Sequence, residues 1–142
     1  MAVKRYDAAQ NTTIIAGIPI SGFAEGSMIE IEYNSDAFEL KIGVDGEGTR
    51  SRTNDNSAKI TLSLMSSSSA NDALSALHNL DKNSANGDGI GPLLIKDGSG
   101  NHLAAAETAW IVKDPTVEFG REVGERKWVL ETDSLKQLVG GN

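Results

Sequence analysis

DGEGTRSRTNDNSAKITLSLMSSSSANDALSAL, residues 45–77, holds three patterns in one run. It opens polar and glycine-spaced, with Arg50 and Arg52 among serines, threonines and asparagines. It then alternates through SAKITLSLM, where Ile60, Leu62 and Leu64 oppose Lys59, Thr61 and Ser63, the period of a strand with one apolar face. It ends in SSANDALSALHNLDKN, where Ala70, Ala73, Leu74, Leu77 and Leu80 or Asp81 fall at helical spacing and His78 and Asn79 point outward. Ser69 is the candidate N-cap, and Asp72 favours the positive end of the helix dipole. The expectation is a strand, one flanking helix over about 69–82, and before them a long loop or hairpin arm over about 44–58.

Upstream, SMIEIEYN alternates with Ile29, Ile31 and Tyr33 on one side and Met28, Glu30 and Glu32 on the other. AFELKIGV does the same, with Phe38, Leu40 and Ile42 opposed to Glu39 and Lys41. Together with SAKITLSLM these runs predict three strands of a half-exposed antiparallel sheet. TTIIAGI (12–18) is a short β-branched run stopped by Pro19. Downstream, PLLIKDGSGNHLAAAETAWIVKDP predicts two strands around a DGSG turn. Its alanines would also suit a helix, but Trp110, Ile111 and Val112 follow directly and Asp114-Pro115 stops the run, which favours strand. TVEF and RKWVLETDSL supply further strand material around Gly120 and Gly124, and LKQLVGGN is either strand or tail. No internal repeat or linker interrupts the 142 residues, so one domain over 1–142 with a thin Ile, Leu and Val core is expected.

Composition narrows the functional classes. No cysteine is present, which excludes disulfides and thiolate metal sites. MAVKRYDAAQ has no apolar run after its basic residues, so no signal peptide is expected, and no stretch approaches the roughly 20 apolar residues of a membrane span. The formal net charge of −7 argues against sequence-independent nucleic-acid binding, although it does not exclude an acidic surface that meets DNA and repels it.

The inventory for catalysis is thin. His78 and His102 have no metal-ligand spacing. GDGIGP (87–92) lacks the following helix that a phosphate loop needs. DKNSANGDGIGP places Asp81 and Asn83 at calcium-loop spacing, but Ala85, Asn86 and Pro92 occupy positions that need a ligand, a glycine and a bidentate glutamate. Glu30 and Glu32 share one strand face, yet they have no aromatic platform for a glycosidase. Alternating charges of this kind ordinarily mark a solvated face. No enzyme activity, cofactor or metal is expected.

Read together, GEGTRS, the Asn54-Asp55 pair, the Ile60-Thr61-Leu62 strand and the helix opened by Asn71-Asp72 resemble a signature of contractile-tail bacteriophage tail tube proteins. The matching positions are Gly46, Glu47, Thr49, Arg50, Ser51, Asn54, Asp55, Ser57, Ile60, Thr61, Leu62, Asn71, Asp72, Leu74 and Leu77. The early AGIPISGFAEG and the strand around Trp128 also agree, whereas Ser69-Ala70 stands where relatives often have a proline.

The resemblance implies a mainly β fold, a β-sandwich or barrel-like pair of sheets with one flanking helix. It also implies homohexameric rings stacked into a tube, with sheath, tape measure and baseplate or terminator proteins as partners. Double-stranded DNA would pass through the lumen without specific binding, and the protein, made in the host cytoplasm, would reside in the virion. On that reading Glu30, Glu32, Glu39, Lys41 and Lys59 face the lumen. Asp45, Glu47, Thr49, Arg50, Ser51, Arg52, Asn54 and Asp55 form the contact between subunits or rings. The alternatives are the tube of a phage-derived bacteriocin or secretion system and, in a different class, a monomeric β-sandwich binding module.

Overall fold

A computed structural model describes residues 3, 7–26, 28–98 and 102–140. In chain order they form a short 3-10 turn (Ala8–Gln10), then β1 (Thr12–Ile15), β2 (Ile18–Pro19), β3 (Ile29–Tyr33), β4 (Phe38–Ile42), β5 (Gly48–Arg52) and β6 (Ala58–Met65). The helix α1 (Ala70–Asn83) follows, then β7 (Gly91–Lys96), β8 (Leu103–Lys113), β9 (Glu125–Thr132) and β10 (Lys136–Leu138). The main sheet has eight strands along the path β2-β1-β7-β8-β9-β6-β3, with β10 beside β8 and every pairing antiparallel. β4 and β5 form a separate two-stranded sheet. The fold is therefore mainly β with one helix, as expected.

β6 is the centre of this arrangement. It pairs with β9 along its whole length on one edge. On the other edge, residues 58–62 pair with β3. Beyond β3 the segment after β2 takes over that edge: Phe23 bridges Leu64, Ala24 N–H donates to the Ser63 carbonyl and Met65 N–H donates to the Gly22 carbonyl. The sheet thereby coils back on itself, so that Ile29 and Ile31 of β3 line one cleft with Ile95 of β7. Enclosed within it are Ile60, Leu62 and Leu64 of β6, Trp128 and Leu130 of β9, Leu93 and Ile95 of β7, and Ala104, Ala106, Ala109 and Ile111 of β8. Trp128 is the one fully buried aromatic among the described residues, so aliphatic side chains supply most of the burial.

Two local features are set by backbone geometry. Residues 12–18 do not form one strand. Ala16 (φ 51°) and Gly17 (φ 81°) make a two-residue turn, and Ile15 pairs with Ile18 across it. Gly91 accommodates that turn: a Cβ there would lie 2.5 Å from the Cβ of Ala16. In β8 the buried positions change from Ala104 and Ala106 to Ala109 and Ile111 because an extra residue is inserted opposite the Gly91–Leu93 step. The bulge breaks the alternation of buried positions along β8.

Several expectations need correction. AFELKIGV does not join β3 and β6 in a half-exposed sheet. It pairs with Gly48–Arg52, and the hairpin begins at Phe38 rather than near residue 44. TVEF is irregular chain among the described residues, and only Glu125–Thr132 of that region is strand. Ser69 makes no side-chain cap; instead the Ser68 hydroxyl accepts the Ala70 N–H at 3.2 Å and donates to the Ser21 carbonyl at 2.6 Å. His78 points inward and is buried with Ala70 and Leu74, whereas Leu80 is 53% exposed. Residues 78 and 80 lie about 200° apart around a helix, so only one can face the sheet. The DGSG turn falls partly outside the described residues.

Asn71 joins helix to sheet. Its carbonyl oxygen accepts the indole N–H of Trp128 at 2.9 Å, and its amide donates to the Met65 carbonyl at 2.9 Å. Asn71→Ala removes both contacts and leaves a buried N–H without a partner, a loss of about 1–3 kcal/mol. Urea unfolding followed by the fluorescence of Trp110 and Trp128 should show the midpoint falling accordingly. Asn79→Ala, on the exposed side of the same helix, should leave it within about 0.5 kcal/mol of the parent.

Candidate functional site

The β4–β5 hairpin stands apart from the body, and all ten of its strand residues are exposed. Its pairs are Phe38 with Arg52, Glu39 with Ser51, Leu40 with Arg50, Lys41 with Thr49 and Ile42 with Gly48. Because side chains alternate across a strand, Phe38, Leu40, Ile42, Arg50 and Arg52 share one face, and Glu39, Lys41, Thr49 and Ser51 share the other. The first face is an apolar stripe without a cover: Leu40 is 65% and Ile42 62% exposed, and Val44 at the tip is fully exposed. The Arg50 guanidinium carbon lies 3.9 Å from the Phe38 ring centroid and that of Arg52 5.9 Å. Such stacking contributes on the order of 0.5–1 kcal/mol at an exposed site. It also holds both arginines over the stripe. Neither forms an ion pair among the described residues; the single ion pair described there is Lys82–Asp114.

Sequence dictates both ends of the arm. At the tip, Gly46 N–H donates to the Gly43 carbonyl at 3.0 Å, closing a turn around Val44 and Asp45. Gly46 then adopts φ 89°, the left-handed residue that lets a three-residue loop rejoin the ladder. The Asp45 carboxylate accepts the Glu47 N–H at 3.2 Å and fixes the turn. At the base, Asp55 accepts the Ser57 N–H at 2.9 Å and the Ser35 hydroxyl at 2.8 Å. The Asn34 amide donates to the Ser57 hydroxyl at 3.0 Å, and Thr53 N–H donates to the Ala37 carbonyl at 2.8 Å. Asn54 is exposed between β5 and this knot. The arm thus leaves the body through a hydrogen-bonded neck, and five residues of extended strand plus the turn reach on the order of 17–20 Å.

The five acidic and basic positions Glu30, Glu32, Glu39, Lys41 and Lys59 do not form one surface. Glu30 and Glu32 lie on the exposed side of β3, and Glu32 stands directly opposite Lys59 of β6. Glu39 and Lys41 are on the polar face of the arm, in the separate sheet. Sequence reading missed the strand Gly48–Arg52 because GTRSR has no apolar alternation. The only signal for it was Val44-Asp45-Gly46, a turn that follows one strand and therefore implies a second.

Nothing in the arrangement resembles a reaction centre. Among the described residues no three His, Asp or Glu side chains converge as metal ligands, and no helix is long and apolar enough to cross a membrane. His102 lies near the β7–β8 turn with its Nε2 3.4 Å from the Gln137 amide nitrogen, which ties β10 to that end of the sheet.

Residues 17–140 match the family model of the bacteriophage PhiTE tail tube protein. The chain belongs to this family of phage tail tube proteins. It is accordingly a structural protein of a phage tail and not an enzyme. Structural protein ORF10 of Pseudomonas phage KPP10 is 33% identical over 123 residues, 87% of this chain and 71% of that protein. The fold is shared with solved components of contractile injection systems. The tube-terminating cap of the anti-feeding prophage is 12% identical with a TM-score of 0.61, covering 99% of this chain and 95% of that one. The sheath/tube terminator of the extracellular contractile injection system PVC in its extended state is also 12% identical with a TM-score of 0.61, covering 98% and 100%. A chain of the PVC sheath–tube complex in its extended state gives 11% and 0.58, covering 95% and 93%.

For this tail tube protein, the neck of the arm has a defined pH dependence. The hydroxyl and N–H of Ser57, then the Ser35 hydroxyl, hold the Asp55 carboxyl below the usual carboxylate range. A depressed folded-state pKa gives a contribution that is present above the unfolded value and lost as pH falls through the folded one. In an NMR titration the Ser57 amide should shift with a midpoint below that of an ordinary aspartate. Asp55→Asn should abolish that titration step, and a midpoint at the ordinary value would contradict the assignment.

Proposed function

We propose that the chain is the tube subunit of a contractile-tailed phage, a single tail tube domain over 1–142. Copies close into homohexameric rings that stack around a channel for DNA ejection. The observation that carries this reading is the apolar stripe of the arm, Phe38, Leu40 and Ile42, which the body of the described chain does not cover and over which only the arm's own Arg50 and Arg52 are placed. A projecting hairpin of this kind is an aggregation hazard on a solitary protein and a joint in an ordered assembly. The arm positions Asp45, Glu47, Thr49, Arg50, Ser51, Arg52, Asn54 and Asp55 belong to the contact between subunits or rings. Within it, turn and neck residues set the arm's direction, and the two arginines are positioned for carboxylates on the neighbour. Sheath, tape measure and baseplate or terminator proteins are the further partners. The phage reading is preferred over a bacteriocin or secretion tube because the relative at 33% identity is a phage structural protein.

The lumen is assigned to the exposed side of β3 and β6, with Glu30 and Glu32 repelling phosphates and Lys59 tempering the field. Glu39 and Lys41 join that wall only if the polar face of the arm lies against the channel once the ring has formed. A terminator is a second reading, favoured by the shared fold with two tube terminators. It would form rings that do not extend.

Electron microscopy of the purified protein tests these readings together. Stacked tubes support the tube subunit, isolated rings the terminator, and a uniform monomer the binding-module alternative. Leu40→Asp and Arg50→Glu should leave a folded monomer or ring and reduce pelletable tubes at least tenfold; tubes of normal length from both would rule out the arm as the joint.

A second experiment addresses the lumen. Glu32→Lys sets two lysines opposite each other and costs about 0.2–1 kcal/mol. The pair Glu30→Lys and Glu32→Lys should still assemble but slow DNA ejection, and unchanged ejection kinetics would count against a lumen-facing β3.

A further inference from the structure

The loop 114–124 between β8 and β9 carries a second uncovered apolar patch. Phe119 is 92% exposed, with Val117 at 54% and Val123 at 60%. The loop is nevertheless tied down along its length, at its far end by the Gly124 carbonyl, which accepts the Ser66 N–H at 2.9 Å. Asp114 pairs with Lys82 of α1 at 3.5 Å, and the Arg126 guanidinium donates to the Glu118 carbonyl at 3.3 Å. A cleft of about 330 Å³ remains between the loop and the start of β9. Glu118 precedes Phe119 directly, and Arg121 and Glu122 follow it beyond Gly120; all three are exposed, with no ion pair among the described residues.

The two patches are complementary. The arm offers apolar side chains with Arg50 and Arg52 beside them, and the loop offers apolar side chains with Glu118 and Glu122 beside them. The stripe face of the arm carries only cationic charge, whereas the loop's carboxylates Glu118 and Glu122 outnumber its one arginine, Arg121. We infer that the stripe of one arm docks on the 114–124 loop of the next copy of this chain, with Arg50 and Arg52 against Glu118 and Glu122. The occupant is a second copy because one chain carries both halves of the match. Such a contact joins unlike surfaces, so where it is not reciprocated between the same two copies it needs no two-fold axis. It propagates from copy to copy, as a ring or a stack requires. Burying the arginine–glutamate pairs beside apolar area strengthens them relative to solvated pairs and fixes orientation and register. This inference rests on the reading of the arm as an assembly joint and names the surface that receives it.

The absence of native cysteine makes the test direct. Leu40→Cys and Phe119→Cys chains, one carrying a tag that changes its mass, are mixed, assembled and oxidised. The expected product is the mixed disulfide dimer, at least tenfold above the dimer formed by either variant alone. Tubes that form without that mixed dimer overturn the docking partner and leave the arm reading standing. Charge exchange gives an independent readout. Arg50→Glu with Arg52→Glu, and separately Glu118→Arg with Glu122→Arg, should each reduce pelletable tubes at least tenfold while far-ultraviolet circular dichroism stays that of the parent. The chain carrying all four changes should recover them. Failure of the loop pair to affect assembly, or of the fourfold variant to recover it, overturns the inference. Normal tubes from the arm pair would instead overturn the underlying reading of the arm.

Discussion

Strand β6 is hydrogen-bonded along both edges, and its Ile60, Leu62 and Leu64 are fully buried on one face. That double constraint fixes its register, because a slip of one residue would turn all three outward at once. The rest of the body is placed by reference to it. β9 follows β6 over eight pairs and brings Trp128 opposite Leu62. β3 and the segment after β2 share the other edge and coil the sheet around the core. The helix begins five residues beyond β6, and Asn71 fastens it to the last carbonyl of that strand and to the Trp128 indole.

The arm inherits its position from the same strand. Ser57, the residue before β6, is held by Asp55 and Asn34, so the neck of the hairpin is continuous with the fixed register of the body. A rigid core thus projects a surface that the core itself does not cover. In a tail tube protein this division is physically sensible. Burial within the chain keeps the subunit folded, and the apolar stripe remains available for a neighbour. The arginines stacked on Phe38 keep that stripe charged while it waits, which opposes indiscriminate association.

Much of this was legible residue by residue. The alternation of β3 and β6, the helix and its Leu74 face, the strand around Trp128 and the empty catalytic inventory all follow from spacing and residue type. The illegible parts have separate causes. The partner of β4 is GTRSR, a strand exposed on both faces, and hydrophobic periodicity detects only strands with a buried side. The bulge in β8 shifts the buried alanines from even to odd positions, which no fixed period can follow. His78 and Leu80 are near-symmetric choices on the sequence, and the side from which the sheet approaches settles between them.

The sequence by itself determined the mainly β class, the single helix, the presence of a polar arm carrying Arg50 and Arg52, and the resemblance to tail tube proteins. These depend on local spacing and side-chain chemistry. Tertiary structure decided that β4 leaves the main sheet, that Glu39 and Lys41 part company with Glu30 and Glu32, and that Phe119 and the arm are both uncovered. The first two outcomes depend on which strand edges remain free once β6 is paired on both sides. Edge availability is a property of the assembled sheet, and no single stretch of sequence contains it.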